Sequence, residues 1–192
     1  MSARLDRLVA ALATTAPQRA EHPERPHAAV ALLLVPDPDR MLVIRRAART
    51  GDPWSGQLAL PGGRREAHDA DLLDTAIRET REETGVALDR AWHRAELDDL
   101  APMTPVLPPI VVRPFVFRLA SVVPAGLSDE VDHAEWVELA ELAAPGVYRE
   151  VELSLRGAPR VVSGYQLPQG LLWGMTERIV TPVVRAWMAG ER

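Results

Sequence analysis

The chain reads as an α/β (α+β) protein, a mixed β-sheet flanked by helices, on three observations. Short β-rich runs recur along the length from His27. Two segments with apolar residues at helical spacing, one central and one C-terminal, interrupt them. The order is mixed and does not alternate strictly between strand and helix, which argues against a regular doubly wound fold.

The elements follow in order. Leu5, Leu8, Val9 and Leu12 recur at helical spacing and predict an amphipathic packing helix. Asp6 and Arg7 break the apolar run, which is too brief for a signal peptide. Pro17, Pro23 and Pro26 punctuate a polar linker. Residues 1–26 thus form a helix with a proline-containing linker, and residues 27–192 form the body. AAVALLLV and MLVIRR flank Pro36-Asp37-Pro38-Asp39 and predict a hairpin, and QLAL predicts a short strand before Pro61-Gly62-Gly63. A helix is expected from about Asp71 to Thr84, capped by Asp69 or Asp71 and closed by Gly85. VVRPFVFRLA is a strand in which Pro114 suggests an edge or a bulge, AEWVEL is another, and YREVELSLRG with APRVVSGYQL forms a second hairpin. From about Gly170 to Met188 the pattern is helical despite Pro182.

Composition narrows the function. A net charge of −5 leaves no basic surplus for a nucleic-acid partner. No run of about 18 apolar residues occurs, so no membrane span is expected. All 22 basic residues are arginines, which suits forked recognition of carboxylate or phosphate. Without cysteine there are no disulfides or thiolate metal sites, and a reducing, cytoplasmic compartment is expected. The N-terminal extension and the C-terminal helix each offer surface for a homodimer.

The central helix carries the chemistry. Glu79 and Glu83, four residues apart, lie along one edge of the apolar stripe made by Leu72, Leu73, Ala76, Ile77 and Thr80, with Glu82 slightly further round. Arg78 reaches Glu82 at i,i+4, which leaves Glu79 and Glu83 without an evident partner. Oxygen-only ligands suit Mg²⁺ or Mn²⁺. Gly62 and Gly63, lacking Cβ, allow backbone to approach an ion or a phosphate closely. For an isolated E-x-x-E-E, a solvated charged face is the plainer reading.

The whole constellation changes that balance. A Pro-Gly-Gly turn, an acid-rich loop and a helix bearing Arg78-Glu79, Glu82-Glu83 and Gly85-Val86 strongly resemble the box of the Nudix hydrolases. Gly63 and Asp69 occupy the earlier positions of that pattern. This sequence departs from it by one extra residue between Gly63 and Arg78, by Thr80 at an aliphatic position, and by Asp69 where Glu is usual, with Asp71 nearby.

The resemblance implies an α/β/α sandwich and a metal-dependent hydrolase acting on a nucleoside diphosphate linked to another group. It assigns Glu79 and Glu83 as metal ligands, and Glu82 as a further ligand or positioner of water. Arg78 becomes the ion-pair partner of a carboxylate, and the Gly63 carbonyl completes the metal shell. Glu130, just before a predicted strand, resembles the downstream acid some members use as general base; an ordinary surface glutamate is the alternative.

The flanks narrow the substrate. RRAARTGDPWSGQLALPGGRREAHDAD and LLWGMTERIV resemble the coenzyme A pyrophosphatase branch, including the extra residue in the box, although Leu60 stands where Phe is usual. Coenzyme A or a derivative is the small-molecule substrate this implies; ADP-ribose, dinucleotides and nucleoside triphosphates are the enzymatic rivals. A Nudix-like binding module without catalysis is the alternative from another class. Arg45, Arg46 and Arg49 suit a substrate bearing several phosphates, and Trp54 suits stacking on an adenine. A solvent-facing basic cluster and a core plug are the respective alternatives. His68 and His133 receive no role.

Overall fold

A computed structural model describes residues 2–22, 24–51, 54–102, 108–155 and 157–190. The first helix, α1, is Ala3–Thr14, capped by the Ser2 hydroxyl. Strands β1 (His27–Val35) and β2 (Arg40–Arg46) form the expected hairpin. They stay paired only at Leu34↔Met41 and Val35↔Arg40 and then diverge.

That divergence makes room for the site. Into the opening fit β3 (Leu58–Ala59), which pairs with the end of β2, and β4 (Gly62–Arg64), which pairs with the start of β1. Between them the Pro61 carbonyl accepts the Ala31 N–H at 2.8 Å. The Pro-Gly-Gly segment is therefore edged into the sheet where sequence alone suggested a turn.

Helix α2 (Leu72–Thr84) follows, with Asp71 as its N-cap and Gly85 at φ 70° closing it. A short 3-10 turn, Arg90–Trp92, leads into β5 (His93–Glu96), which the sequence reading missed. β6 (Val111–Arg118) runs parallel to β1 from His27↔Val111 to Leu34↔Arg118 and antiparallel to β5. β7 (Val131–Glu138) pairs with β2 and leads into the short helix α3 (Leu139–Leu142). The result is a seven-stranded mixed sheet.

Pro114 therefore lies in an interior strand, not on an edge. Its carbonyl accepts from Leu97, just beyond the end of β5, so its ring nitrogen faces the place where that ladder runs out and a donor is least missed. β8 (Tyr148–Leu155), β9 (Ala158–Leu167) and β10 (Gly170–Trp173) form a second, antiparallel sheet. Gly170–Trp173 is thus strand where helix was expected, because a short apolar run fits either period. The last helix, α4, is Gly174–Ala189 and contains Pro182.

Alternation along β1 sorts the layers. Ala29, Ala31 and Leu33 pack with Phe115, Phe117 and Ala76 beneath α2. Leu32 and Leu34 face the other way, onto Leu5 and Leu8 of α1 and Val180, Val184 and Trp187 of α4. Helices thus cover both faces of the mixed sheet.

The 1–26 segment packs onto this body. The linker is fastened by Gln18 N–H to Asp98 at 2.8 Å and by Asp99 N–H to the Gln18 carbonyl at 2.9 Å. The two surfaces suggested for self-association meet within one chain: Arg4 donates to the Trp187 carbonyl at 2.9 Å, and Arg7 to that of Gly190 at 2.7 Å.

Leu5 is fully buried. Leu5→Ala is expected to destabilise the protein by about 2–5 kcal/mol, in a single cooperative urea transition. A separate early transition of α1 alone would show that the helix is an appendage.

Candidate active site

Helix α2 presents its acids to two different surroundings. On the outer side Arg78 binds four groups at once. Its Nε and Nη2 fork onto Asp69 at 2.9 and 3.0 Å, its Nη1 donates to Glu79 at 2.9 Å and Glu82 at 2.8 Å, and Nη2 also donates to the Arg64 carbonyl at 3.0 Å. This settles the roles of the two aspartates: Asp71 caps the helix by accepting from Asp74 N–H at 2.8 Å, while Asp69 anchors the arginine. The Arg78 hydrogen bonds hold the buried Asp69 carboxyl far below the usual aspartate range despite desolvation, helped by the Glu66 N–H and the Thr75 hydroxyl.

Glu83 points inward instead. Only 2% of its side chain is exposed. Its Oε2 accepts the Gly62 N–H at 2.8 Å, and its Oε1 lies 3.7 Å from the Arg46 guanidinium. Burial pushes its carboxyl up to about 7, partly offset by the Gly62 amide and Arg46 and reinforced by the charges of Glu79 and Glu130. Glu79 is raised by burial too, with Arg78 pulling it back. Both acids thus have partners the sequence reading did not find, Arg78 closely for Glu79 and Arg46 at a longer distance for Glu83.

The glycines make this approach possible. A Cβ on Gly63 would overlap the Glu79 carboxylate, and one on Gly62, at φ 154°, would strike the Ala29 carbonyl. Only glycine fits at 62, and at 63 any side chain would have to displace the Glu79 carboxylate.

These groups open on a cleft of about 330 Å³. Glu79, Glu83, Gly63, Arg46, Trp54 and Glu130 line it, as do Arg64, Gln57, Trp173 and Met175, which the sequence reading did not select. Glu130 arrives from far along the chain because β7 pairs with β2 and the Glu130 carbonyl accepts Ala47 N–H at 2.8 Å. Arg49 does not line the cleft; it holds the Glu130 carboxylate at 3.1 Å.

Arg45 also lies outside the cleft, on Asp132 at 2.6 Å, because successive strand residues face opposite ways. The expected basic cluster is therefore split. Glu82 and Arg78 brace the rim without lining the cleft. Among the described residues, no three Asp, Glu or His side chains are gathered as a ready ligand set. The expected convergence of three carboxylates is replaced by a division in which Arg78 holds Glu82 outward and Gly62 holds Glu83 inward.

A mixed sheet between helix layers, with Glu83 buried and Glu79 half-buried beside a glycine pair at the mouth of a cleft, defines an α/β/α sandwich with an acidic site. Comparison with known proteins gives the family. The NUDIX domain model matches residues 25–155, and the chain belongs to the Nudix hydrolases, pyrophosphohydrolases that use divalent metal ions. It is 31% identical over 163 residues to the uncharacterized Nudix hydrolase NudL of Photorhabdus laumondii, covering 80% of this chain and 81% of that one.

Two solved structures share the fold. A MutT/nudix family protein from Enterococcus faecalis is similar over 97% of this chain and 68% of that one, with TM-score 0.60 and 20% identity. A bifunctional NMN adenylyltransferase/ADP ribose pyrophosphatase from Francisella tularensis, complexed with AMP and a Mn ion, is similar over 96% of this chain and 48% of that one, with TM-score 0.58 and 18% identity.

Asp69 generates a pH prediction. Its folded value is depressed, so its contribution to stability is fully present above the ordinary aspartate value of 3.8 and is lost as pH falls through the folded value. Asp69→Asn is expected to cost about 3 kcal/mol at neutral pH. In urea titrations at stepped pH, the variant should lose less further stability than wild type on acidification below about pH 4.

Proposed function

We propose that this protein hydrolyses the pyrophosphate bond of coenzyme A or its derivatives, giving adenosine 3',5'-bisphosphate and phosphopantetheine, with Mg²⁺ or Mn²⁺. The observation that carries the reading is the two-sided cleft. One side offers Glu79, Glu83 and the Gly63 backbone, and the other is apolar, with Val30, Ile110, Val112 and Met175. A pyrophosphate flanked by an adenosine laid along that apolar wall and by a long arm matches that division, and the resemblance of the flanking segments to the coenzyme A branch points the same way.

The donor set fits a hard divalent cation. Glu79 and Glu83 are oxygen donors raised by burial, so an added positive charge stabilises their ionised forms. The Gly63 backbone, which lines the cleft, is the further donor, and Glu82, expected as another, is held outside it by Arg78. Such a cation, when bound, neutralises phosphate oxygens and lowers the pKa of a coordinated water.

The residues of the chain do the remainder. Arg78 holds Asp69, Glu79 and Glu82 in place. Arg46 at the cleft binds substrate phosphate oxygens, and Trp54 offers a stacking surface. Glu130, held by Arg49 at the rim, takes the proton of the attacking water. As the water oxygen bonds to phosphorus, the bridging P–O bond breaks, and one phosphate leaves with each product.

ADP-ribose and dinucleotides are the second reading. The Francisella tularensis neighbour, named in part as an ADP ribose pyrophosphatase, favours it. A purely binding module would have little use for a buried glutamate as weakly paired as Glu83.

A panel of coenzyme A, ADP-ribose, a diadenosine polyphosphate and a nucleoside triphosphate, with Mg²⁺, with Mn²⁺ and with chelator, tests this by product separation. Coenzyme A should give its two halves, and chelator should abolish turnover; rapid cleavage of ADP-ribose with coenzyme A intact would refute the substrate.

Glu83→Gln should lower kcat by about 100-fold or more while the metal-free fold survives. Ionised Glu83 is a burden that grows as pH rises from the ordinary glutamate value of 4.5 to about 7. At pH 8 the metal-free variant should therefore unfold no earlier than metal-free wild type in thermal melts.

A further inference from the structure

The arginines around the cleft are not equivalent. Arg46 is paired with Glu83, Arg49 with Glu130, Arg45 with Asp132 and Arg78 with Asp69. Arg64 also lines the cleft, and its side chain is exposed. Among the described residues its guanidinium has neither a carboxylate nor a hydrogen-bond partner. Only its backbone is engaged, through the carbonyl that accepts from Arg78 at 3.0 Å.

Its direction follows from its strand. Gly63 and Arg64 are successive residues of β4, so their side-chain positions lie on opposite faces of the sheet. The Gly63 position abuts the Glu79 carboxylate. Arg64 therefore leans away from the acids and lies in register with Ala28. Ala28 clusters with Ile110, Val112 and Met175 at the apolar end of the cleft. An arginine there lies on the other face of the strand from the Gly63 position, at the apolar wall of the cleft that Glu79 and Glu83 also line. It sits beside whatever the substrate lays along the apolar wall.

We propose that Arg64 is a specificity-determining residue that binds a second anionic group of the substrate, separate from the pyrophosphate that is cleaved. Resting on the coenzyme A reading, that group is the 3'-phosphate of the adenosine half. A guanidinium with no internal carboxylate gives up no ion pair when it takes a phosphate in its fork. Arg46, by contrast, must share itself with Glu83.

The test compares coenzyme A with dephospho-coenzyme A, which lacks that phosphate, in wild type, Arg64→Gln and Arg64→Lys. A parallel arm measures binding of adenosine 3',5'-bisphosphate and of AMP by calorimetry. Arg64→Gln should lower the ratio of kcat/KM for coenzyme A over dephospho-coenzyme A about 10- to 100-fold, mostly through KM, with partial recovery in Arg64→Lys. The preference for adenosine 3',5'-bisphosphate over AMP should fall by a similar factor. Equal losses on both substrates, or an unchanged ratio, would overturn the role of Arg64. If wild type cleaves neither thioalcohol substrate, the coenzyme A reading fails, and the binding arm alone then decides Arg64: an unchanged preference overturns it and a lost one supports it.

Discussion

The site depends on one guanidinium. Arg78 joins the loop before α2, through Asp69 and the Arg64 carbonyl, to the helix that carries Glu79 and Glu82. Its side chain is 14% exposed and that of Asp69 only 2%, so both charges are largely desolvated. Such a pair adds little net stability over an apolar substitute, yet losing either member strands the other. Its structural contribution is registry. It fixes the distance between β4 and α2, and every approach between glycine backbone and carboxylate follows from that distance.

Neutralisation by Arg78 reaches Glu79 at the cleft but not Glu83. Asp69 is held well below the ordinary aspartate range while Glu83, on the same helix, is raised to about 7. The difference is one of donors. Asp69 receives a bidentate guanidinium, a backbone amide and a hydroxyl, whereas Glu83 receives one amide and a guanidinium at 3.7 Å. Folding alone does not require a buried acid left so poorly compensated, and a hydrophobic residue there would be cheaper. Under the proposed function, that imbalance is what a cation at the inner edge of α2 would answer.

Features set by local spacing were legible in the sequence, and features set by strand pairing were not. The bounds of α2 follow from Asp71 and Gly85, whose effects act within a turn. Spacing puts Glu79 and Glu83 on one edge of the helix, and both line the cleft, although the greater burial of Glu83 over Glu82 depends on where the sheet lies. The Arg45, Arg46 and Arg49 cluster failed as a group because β2 sends neighbours to opposite faces and carries a register shift between Arg45 and Arg46. Arg64 escaped notice because its meaning lies in its register with Ala28, and no pattern in PGGRRE announces that β4 is a strand. β10 was lost to the helix beside it because LLW has no period of its own.

β4 is too short to hold itself. Three residues of strand have no independent stability, so its place is set by what grips it: β1 by register, Glu83 through the Gly62 amide, and Arg78 through the Arg64 carbonyl. Two of those grips belong to the helix that bears the acids. The groups disposed toward a cation on one face of the strand therefore also position the arginine on the other face. On the proposed roles, the metal side and the Arg64 side of the site share the backbone of Gly62, Gly63 and Arg64.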